Sequence, residues 1–270
     1  MRTWFLTVFF LIPLPFFAGC GGDQAGRGEL GDGKPLIVGM SLTYPPFEIR
    51  TNQNEPDGIS VHMAEGLAEY LGRPLEIRDV EWNGIIPALQ SGKIDVIISS
   101  MTRTEEREKA IAFSDGYVTN GLCMLVAKDS AIQSAGDLEA GDYKAAVRIG
   151  TTGHQWARKE APSLELILLD DTAACVLEVV QGKADAFIFD QISVYENWQK
   201  NPKTTRPILN PIREETWAIG MRKEDKALKI KVNEFLADFR TRGRFEELSD
   251  QYMSDAKAAF EEMGVPFIFH

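Results

Sequence analysis

Hydrophobic positions along this chain alternate between a helical period of about 3.6 residues and short, nearly unbroken apolar runs typical of buried strands. In the first part they predict strands at 36–40, 75–80 and 94–98, with helices at 58–71 and 82–91. In the second part they predict strands at 145–149, 164–169 and 186–189, with helices at 151–160 and 172–181. Strands that alternate with helices indicate an α/β fold with mostly parallel sheets, whose ligands bind at the carboxyl ends of the strands.

Two stretches of the sequence are nearly alike. Residues 89–98 and 180–189 each contain the end of a helical pattern, a glycine and an apolar strand. Gly92 and Gly182 suit the left-handed conformation that often ends a helix. Because these glycines are 90 residues apart, about the size of a small lobe, the repeat predicts two similar lobes.

Two more strand-like stretches, 121–127 and 217–221, bracket the second half of the repeat. We expect them to be two hinge crossings that carry the chain out and back. Lobe 1 is then formed by 36–121 and 219–253, and lobe 2 by 124–216. The helical pattern at 226–240 should pack on lobe 1, and a shorter helix is expected at 245–253. The C-terminal tail, 254–270, has no predicted role.

The N-terminus is typical of an export signal. One arginine precedes an apolar run that is broken by two prolines and is too short to span a bilayer comfortably. We therefore predict a signal peptide at 1–19. The sequence ending at Cys20 resembles the lipobox of bacterial lipoproteins, which implies lipidation of Cys20 and a tether over 20–35. The predicted location is the periplasm or the cell-envelope surface, anchored to a membrane through the lipid. An ordinary signal peptide with an incidental cysteine is the alternative.

Composition and charge exclude several classes of protein. The chain has 270 residues, 44% of them apolar, which is enough for one or two cores. Its net charge is −11, and such an acidic chain argues against binding of nucleic acid, which needs clustered lysine and arginine. Cys123 and Cys175 lie in apolar patterns and are predicted to be buried free thiols, although an exported protein can also form disulfides. No histidine or cysteine has metal-ligand spacing, and no cofactor is implied.

Several motifs occur together in one order, namely Tyr44-Pro-Pro-Phe-Glu48, Asp57-Gly58, Gly84-Ile-Ile-Pro-Ala-Leu89, Thr102 to Arg107 with Phe113-Ser-Asp115, Gly150-Thr-Thr-Gly153 and Ala184-Asp-Ala186 leading to Asp190. From about residue 36 to 252 the chain resembles the extracellular (periplasmic) solute-binding proteins of family 3, the substrate-binding lipoproteins of polar amino acid ABC transporters. The resemblance implies a two-lobed periplasmic-binding-protein fold of type II. It also implies a monomer with two partners, an amino acid ligand and a membrane permease.

The resemblance assigns eight residues to ligand binding: Ser41, Tyr44, Trp82, Ser100, Thr102, Arg107, Thr152 and Asp190. A free amino acid is a zwitterion, so its binder must supply a cation for the carboxylate and an anion for the ammonium. Arg107 and Asp190 meet this need, since a guanidinium can hold a carboxylate with two hydrogen bonds. The alternatives are that Arg107 pairs with Glu105 or Glu106 on a solvated helix, and that Asp190 caps the helix that follows it.

The remaining assignments have competing interpretations as well. The hydroxyls and amides at Thr102 and Thr152 are expected to donate to the ligand carboxylate, although Thr102 could simply cap a helix. Tyr44 and Trp82 are expected to flank the ligand, although aromatic residues are more often core. Ser41 stands where binders of basic amino acids often carry an acid, which favours a neutral polar ligand over a basic one.

These inferences predict a binding protein that is not an enzyme. Its two lobes would close on a free polar amino acid, and the closed form would deliver it to the permease. One alternative is a cyclohexadienyl or prephenate dehydratase, because enzymes of this kind resemble the chain in fold. Their proton-donating glutamate corresponds to Ser193, with Glu196 one helical turn further on. The other alternative is an amino acid sensor subunit.

Overall fold

The computed structural model of the protein describes Met1 and residues 33–265 and 267–269. Its strands are β1 Leu36–Met40, β2 Thr43–Tyr44, β3 Glu48–Arg50, β4 Pro56–Asp57, β5 Leu75–Asp79, β6 Val96–Ile97, β7 Ala112–Ala127, β8 Lys144–Arg148, β9 Glu165–Leu169, β10 Ala186–Asp190 and β11 Thr205–Met221. Its helices are α1 Ile59–Leu71, α2 Ile85–Gln90, α3 Glu105–Glu108, α4 Ala135–Ala140, α5 Thr152–Glu160, α6 Thr172–Val180, α7 Gln191–Lys200, α8 Lys226–Thr241 and α9 Arg244–Glu262. A 3₁₀ turn, Trp82–Gly84, precedes α2.

The described residues form an eight-stranded sheet with the order β5-β1-β6-β11-β7-β10-β8-β9. In one half, β1 lies between β5 and β6 and is parallel to both. In the other half, β8 lies between β9 and β10 and is again parallel to both. The order β5-β1-β6 therefore corresponds to β9-β8-β10, as the sequence repeat predicts. The predicted α/β fold with mostly parallel strands is confirmed.

The two halves of the sheet are joined by β7 and β11, which pair with each other in an antiparallel ladder. They contain 16 and 17 residues and are much longer than the predicted strands at 121–127 and 217–221. The last residues of β11 pair with β6, and the second half of β7 pairs with β10. Each long strand thus passes from one half to the other. The predicted lobe boundaries stay a prediction.

Most predicted elements are found within two residues of their expected bounds. The clearest exception is 82–91, predicted as one helix, which begins with the 3₁₀ turn and becomes α-helical only after Gly84. The helix predicted at 245–253 is also wrong in extent, since α9 continues to Glu262 across a non-helical residue at Met253. The predicted helix at 226–240 is confirmed by α8.

A second, three-stranded sheet with the order β2-β3-β4 was not predicted. Its strands contain two or three residues each and are too short to give a periodic pattern. Gly58 follows β4 with a φ of 118°, and a Cβ atom there would lie 2.4 Å from the carbonyl oxygen of Phe47. Only glycine suits this turn, which connects the small sheet to α1 and fixes the positions of Tyr44 and Glu48.

The C-terminal tail folds back onto α7 and β7. Phe260 at the end of α9 is fully buried, and its ring lies 5.3 Å from that of Tyr195 in α7. Ile268 is buried too, and its carbonyl accepts a hydrogen bond of 3.0 Å from the backbone N–H of Thr119 in β7. The tail therefore belongs to the packed structure, although no role was predicted for it.

The predicted signal peptide, lipidation site and tether fall outside the described residues, apart from Met1 and positions 33–35. Cys123 and Cys175 are both buried and free, as predicted. Among the described residues, no helix combines the length and the apolar character needed to cross a bilayer.

Candidate functional site

A cleft lies between the two halves of the protein, and the space there that protein atoms do not fill is about 420 Å³, open solvent at its mouth included. All eight residues that the sequence assigns to ligand binding line this cleft. Five further residues line it as well: Glu48, Ser99, Arg148, Thr151 and Phe189. The described structure thus brings the predicted site residues together, while their contacts with a ligand stay a prediction.

The lining residues are brought together by strand ends, as expected for parallel sheets. Ser41 follows β1 directly, and Ser100 and Thr102 follow β6. Arg148 and Asp190 are the last residues of β8 and β10. These strands form two parallel pairs, and the side chains that end or follow them meet at the cleft.

Arg107 extends from the short helix α3 into the cleft and is 6% exposed. Its Nη1 donates to the Thr102 carbonyl at 2.7 Å, and its Nη2 donates to the Gly150 carbonyl at 3.1 Å. These bonds use two of the five N–H groups of the guanidinium. Burial lowers the pKa of Arg107 to about 10, so the group still carries its charge at neutral pH.

The alternative pairing of Arg107 with Glu105 or Glu106 is not observed, since within the described residues its guanidinium hydrogen-bonds to two backbone carbonyls. The alternative cap at Thr102 is also wrong. Thr104 caps α3 by accepting the Arg107 backbone N–H.

Asp190 lies on the other side of the cleft and is also buried. Its Oδ1 accepts from Asn120 at 2.7 Å, and its Oδ2 accepts from the Tyr44 hydroxyl at 3.2 Å. Asp190 precedes α7, but its side chain makes no capping bond. Burial, followed by repulsion from Glu215, raises the pKa of Asp190 well above its ordinary value, while Tyr44 and Arg107 lower it. A cation beside this carboxyl would favour its ionised form.

Thr102 and Thr152 meet at a carboxylate that the sequence analysis missed. Their hydroxyls both donate to Oε2 of Glu215, at 2.9 and 2.8 Å. The Glu215 side chain is 1% exposed, and its Oε1 pairs with Arg213 at 2.9 Å. Because a hydroxyl carries one proton, neither threonine hydroxyl can also donate to a ligand in this arrangement. Their backbone amides are not affected by these bonds, and donation to a ligand carboxylate by Thr102 and Thr152 stays a prediction.

Trp82 lies against two guanidinium groups. The guanidinium carbons of Arg107 and Arg148 are 5.2 and 5.7 Å from the centre of the indole ring. Cations at such distances are attracted by the ring quadrupole. Arg148 also donates from Nη2 to the Ser41 hydroxyl at 3.0 Å. Ser41 therefore contacts a cation of the protein itself.

Glu48 lies in β3 of the small sheet, lines the cleft and accepts hydrogen bonds from three hydroxyl groups. Ser60 and Ser100 donate to Oε2 at 2.6 and 3.0 Å, and Ser99 donates to Oε1 at 3.2 Å. Burial raises the pKa of Glu48 to about 8, against the smaller opposing effect of these bonds and of Arg148. Glu48 thus holds three serines together and does not present a full negative charge at neutral pH.

The sequence contained partial signals for the residues that were missed. Arg148 is the next-to-last residue of the strand predicted at 145–149, close to the Gly150 loop, which is the place where site residues are expected. Glu215 lies just before the strand predicted at 217–221, on the same buried face as Trp217, so the prediction stopped two residues short of it. Among the described residues, no group of three or more histidine, cysteine, aspartate or glutamate side chains could hold a metal ion.

Comparison with solved structures defines the class of protein. The P235GK mutant of ArgBP from T. maritima is 35% identical with a TM-score of 0.76, covering 82% of this chain and 95% of that one. The ancestral amino acid-binding protein AncCDT-1, a precursor of cyclohexadienyl dehydratase, is 34% identical with a TM-score of 0.74, covering 81% and 94%. Together with the central cleft, these likenesses confirm the predicted periplasmic-binding-protein fold of type II.

The sequence comparison identifies the family. The bacterial extracellular solute-binding proteins, family 3, match residues 36–255, and the chain belongs to this family. The arginine-binding extracellular protein ArtP of Bacillus subtilis is 30% identical over 262 residues, covering 95% of this chain and all of that protein. The family that the motifs indicated is therefore confirmed.

Proposed function

We propose that the cleft binds a free amino acid as a zwitterion and delivers it to the permease of an ABC transporter. The observation that carries this proposal is the placement of the Arg107 guanidinium and the Asp190 carboxyl in one cleft, where a ligand ammonium would favour the ionised form of Asp190. Both side chains are buried in the cleft. Neither forms a salt bridge with any of the described residues, and an unpaired buried charge is costly unless a ligand completes it.

The free hydrogen-bonding capacity of both anchors supports this assignment. Arg107 retains three N–H groups for a ligand carboxylate. Asp190 retains further lone pairs for an ammonium, and the neighbouring Asn120 Oδ1 is a buried acceptor with no partner among the described residues. These two anchors would bind the α-carboxylate and the α-ammonium of any amino acid. The other residues of the cleft would then contact its side chain and determine the selectivity.

Contacts across the cleft support closure of two lobes around the ligand. Arg107 reaches the Gly150 carbonyl, and Tyr44 reaches Asp190 at 3.2 Å. Asn83 donates to Asp170 at 3.2 Å nearer the cleft mouth. These bonds join residues from the two halves of the sheet and can form only when the halves are close together. A ligand held by both anchors would favour the same closed arrangement.

We further propose that the protein is exported by the signal peptide at 1–19 and acts as a monomer tethered through lipidated Cys20. A diacylglyceryl group on the cysteine anchors with two acyl chains, which is enough to hold the protein at the membrane surface where it must meet a permease. Cys20→Ser should move the protein from the membrane fraction to the soluble fraction. Size-exclusion chromatography of that soluble form should give the mass of one chain.

A dehydratase activity is not favoured. Burial raises the pKa of Glu196 to about 7, which would suit a proton donor. However, neither Glu196 nor Ser193 is among the residues that line the cleft. Relatives named as binding proteins support the same conclusion.

Isothermal titration calorimetry with the standard amino acids tests the proposed function. At least one amino acid should bind, and Arg107→Ala and Asp190→Ala should each weaken its binding by about 2 to 5 kcal/mol, because each leaves a ligand charge buried and unpaired. Arg103→Ala is the matched control, since Arg103 lies on the same segment with a half-exposed side chain paired to Glu108. Equal affinities in the wild type and both anchor variants would reject the zwitterion site.

A further inference from the structure

The cleft contains a second buried guanidinium whose charge the proposed function leaves unused. Arg148 is 5% exposed. Its Nε donates to the Asp170 carbonyl at 2.9 Å, and its Nη2 donates to the Ser41 hydroxyl. Nη1 has no hydrogen-bond partner among the described residues, and none of their carboxylates forms a salt bridge with this side chain. A buried cation held by neutral acceptors is costly unless an anion joins it.

The acidic side chains nearby do not neutralise Arg148. Burial lowers the pKa of Arg148, and Asp171 and Glu81 oppose this effect most strongly, but both side chains are exposed and neither forms a salt bridge with it. Glu48 has a pKa raised to about 8 and keeps its proton through most of the neutral range. Among the described residues, Arg148 is therefore a buried cation without a paired carboxylate. A ligand group that carries a negative charge would complete the pair.

We propose that the site selects α-amino acids whose side chain ends in a second carboxylate, which Arg148 binds. This inference rests on the proposed function, in which Arg107 and Asp190 hold the α-carboxylate and the α-ammonium. Both guanidinium groups lie against the same indole ring of Trp82, at 5.2 and 5.7 Å from its centre. The two carboxylates of one short amino acid can therefore reach both groups, and the ligand would lie along the indole.

Other classes of side chain fit this end of the cleft less well. The cationic side chain of arginine or lysine would meet the charge of Arg148, and Ser41 offers no acid to offset it. The amide of glutamine could accept one hydrogen bond from Arg148 but would leave its charge unpaired. Charge-assisted pairs between guanidinium and carboxylate are roughly twice as strong as neutral hydrogen bonds, so the acid should be preferred over its amide.

Calorimetry on the whole protein with L-glutamate, L-aspartate, L-glutamine, L-asparagine and L-arginine tests this selectivity. The better acid should bind at least about tenfold more tightly than its own amide. Arg148→Met keeps most of the aliphatic stem and removes the charge, so the ratio of acid to amide affinity should fall to about one. Arg148→Lys restores a cation and should restore the preference. Arg158→Met is the matched control, because Arg158 is exposed on α5.

The outcomes separate the two proposals. If no amino acid binds to the wild type, the proposed function itself fails. If an amide or arginine binds as tightly as the acids, or if Arg148→Met keeps the wild-type ratio, the selectivity inference is overturned while the binding function stands. The ligand ranking of the wild type decides the question even if the Arg148→Met variant does not fold.

Discussion

Glu215→Gln should lower the stability of the protein and raise its affinity for a ligand carboxylate at the same time. In the wild type, the Glu215 carboxylate accepts a hydrogen bond from the hydroxyl of Thr102 and another from that of Thr152. It is also the main nearby charge that opposes the burial effect on the pKa of Arg107. An amide of the same shape keeps the packing but removes the negative charge. Arg107 would then attract a ligand carboxylate without competition.

The size of the stability loss follows from the contacts of Glu215. Hydrogen bonds to a charged group contribute about 1.5 to 3 kcal/mol and neutral ones about 1, so each threonine bond should weaken by about 1 kcal/mol. The Arg213 pair adds little, because the Arg213 side chain is 41% exposed and water can solvate it. The expected total is about 2 kcal/mol, or a decrease in Tm of about 4 to 8 °C for a domain of this size.

Thermal unfolding and calorimetry of the variant measure these two effects separately. Glu214→Gln is the control, since it makes the same change in net charge. Glu214 is the exposed neighbour of Glu215 on the opposite face of β11. A variant that is less stable but binds its ligand several-fold more tightly would support the assigned role of Glu215. If Glu215→Gln behaves like Glu214→Gln, or if stability and affinity fall together, the reasoning is wrong.

Two further predictions concern stability. Because the pKa of Glu48 is raised from 4.5 to about 8, its contribution to stability is present below pH 4.5 and is lost as the pH rises towards 8. In urea titrations at stepped pH, the free energy of unfolding of Glu48→Gln should therefore rise relative to that of the wild type across this range. A constant difference between the two proteins would contradict the raised pKa. Gly58→Ala should lower the free energy of unfolding by more than about 2 kcal/mol, because its Cβ would lie 2.4 Å from the Phe47 carbonyl oxygen. At Gly72, which also has a positive φ but no atom within 4 Å, the same change should cost only about 1 kcal/mol, and equal losses would refute the steric argument.

Periodicity predicted the parts of the fold whose side chains alternate in a regular way. The helices α1, α6 and α8 were found because each buries one face over several residues, and β1 was found because its short apolar run is buried on both faces. The long strands β7 and β11 were predicted only in part. Their burial changes where they pass from one half of the sheet to the other, and register shifts near Trp217 interrupt the ladder. A single period cannot describe a strand that belongs to two environments.

The C-terminal tail could not be predicted for a different reason. Its buried residues, such as Phe260 and Ile268, contact α7 and β7, which are far away in the sequence. Nothing in the local pattern of the tail indicates that these partners exist. A fold with long-range contacts of this kind leaves no signal in a short window of sequence.

In the binding site, the motifs predicted which residues line the cleft but not which side chains pair with them. The eight predicted residues reach one cleft because the fold places strand ends, and the turns and helices that follow them, around it. Their hydrogen-bond partners were not predictable, because these come from other segments. Glu215 accepts hydrogen bonds from the two threonine hydroxyls, and Arg148 donates one to the Ser41 hydroxyl. These two pairings change the chemistry of the cleft. Because Glu215 engages the threonine hydroxyls, side chains that were expected to donate can only accept from a ligand. Because Arg148 lies beside Ser41, a cation is present where the absence of an acid had suggested a pocket for a neutral side chain. The absence of one charge at Ser41 therefore did not establish the selectivity of the site, because a second residue 107 positions away supplies the opposite charge.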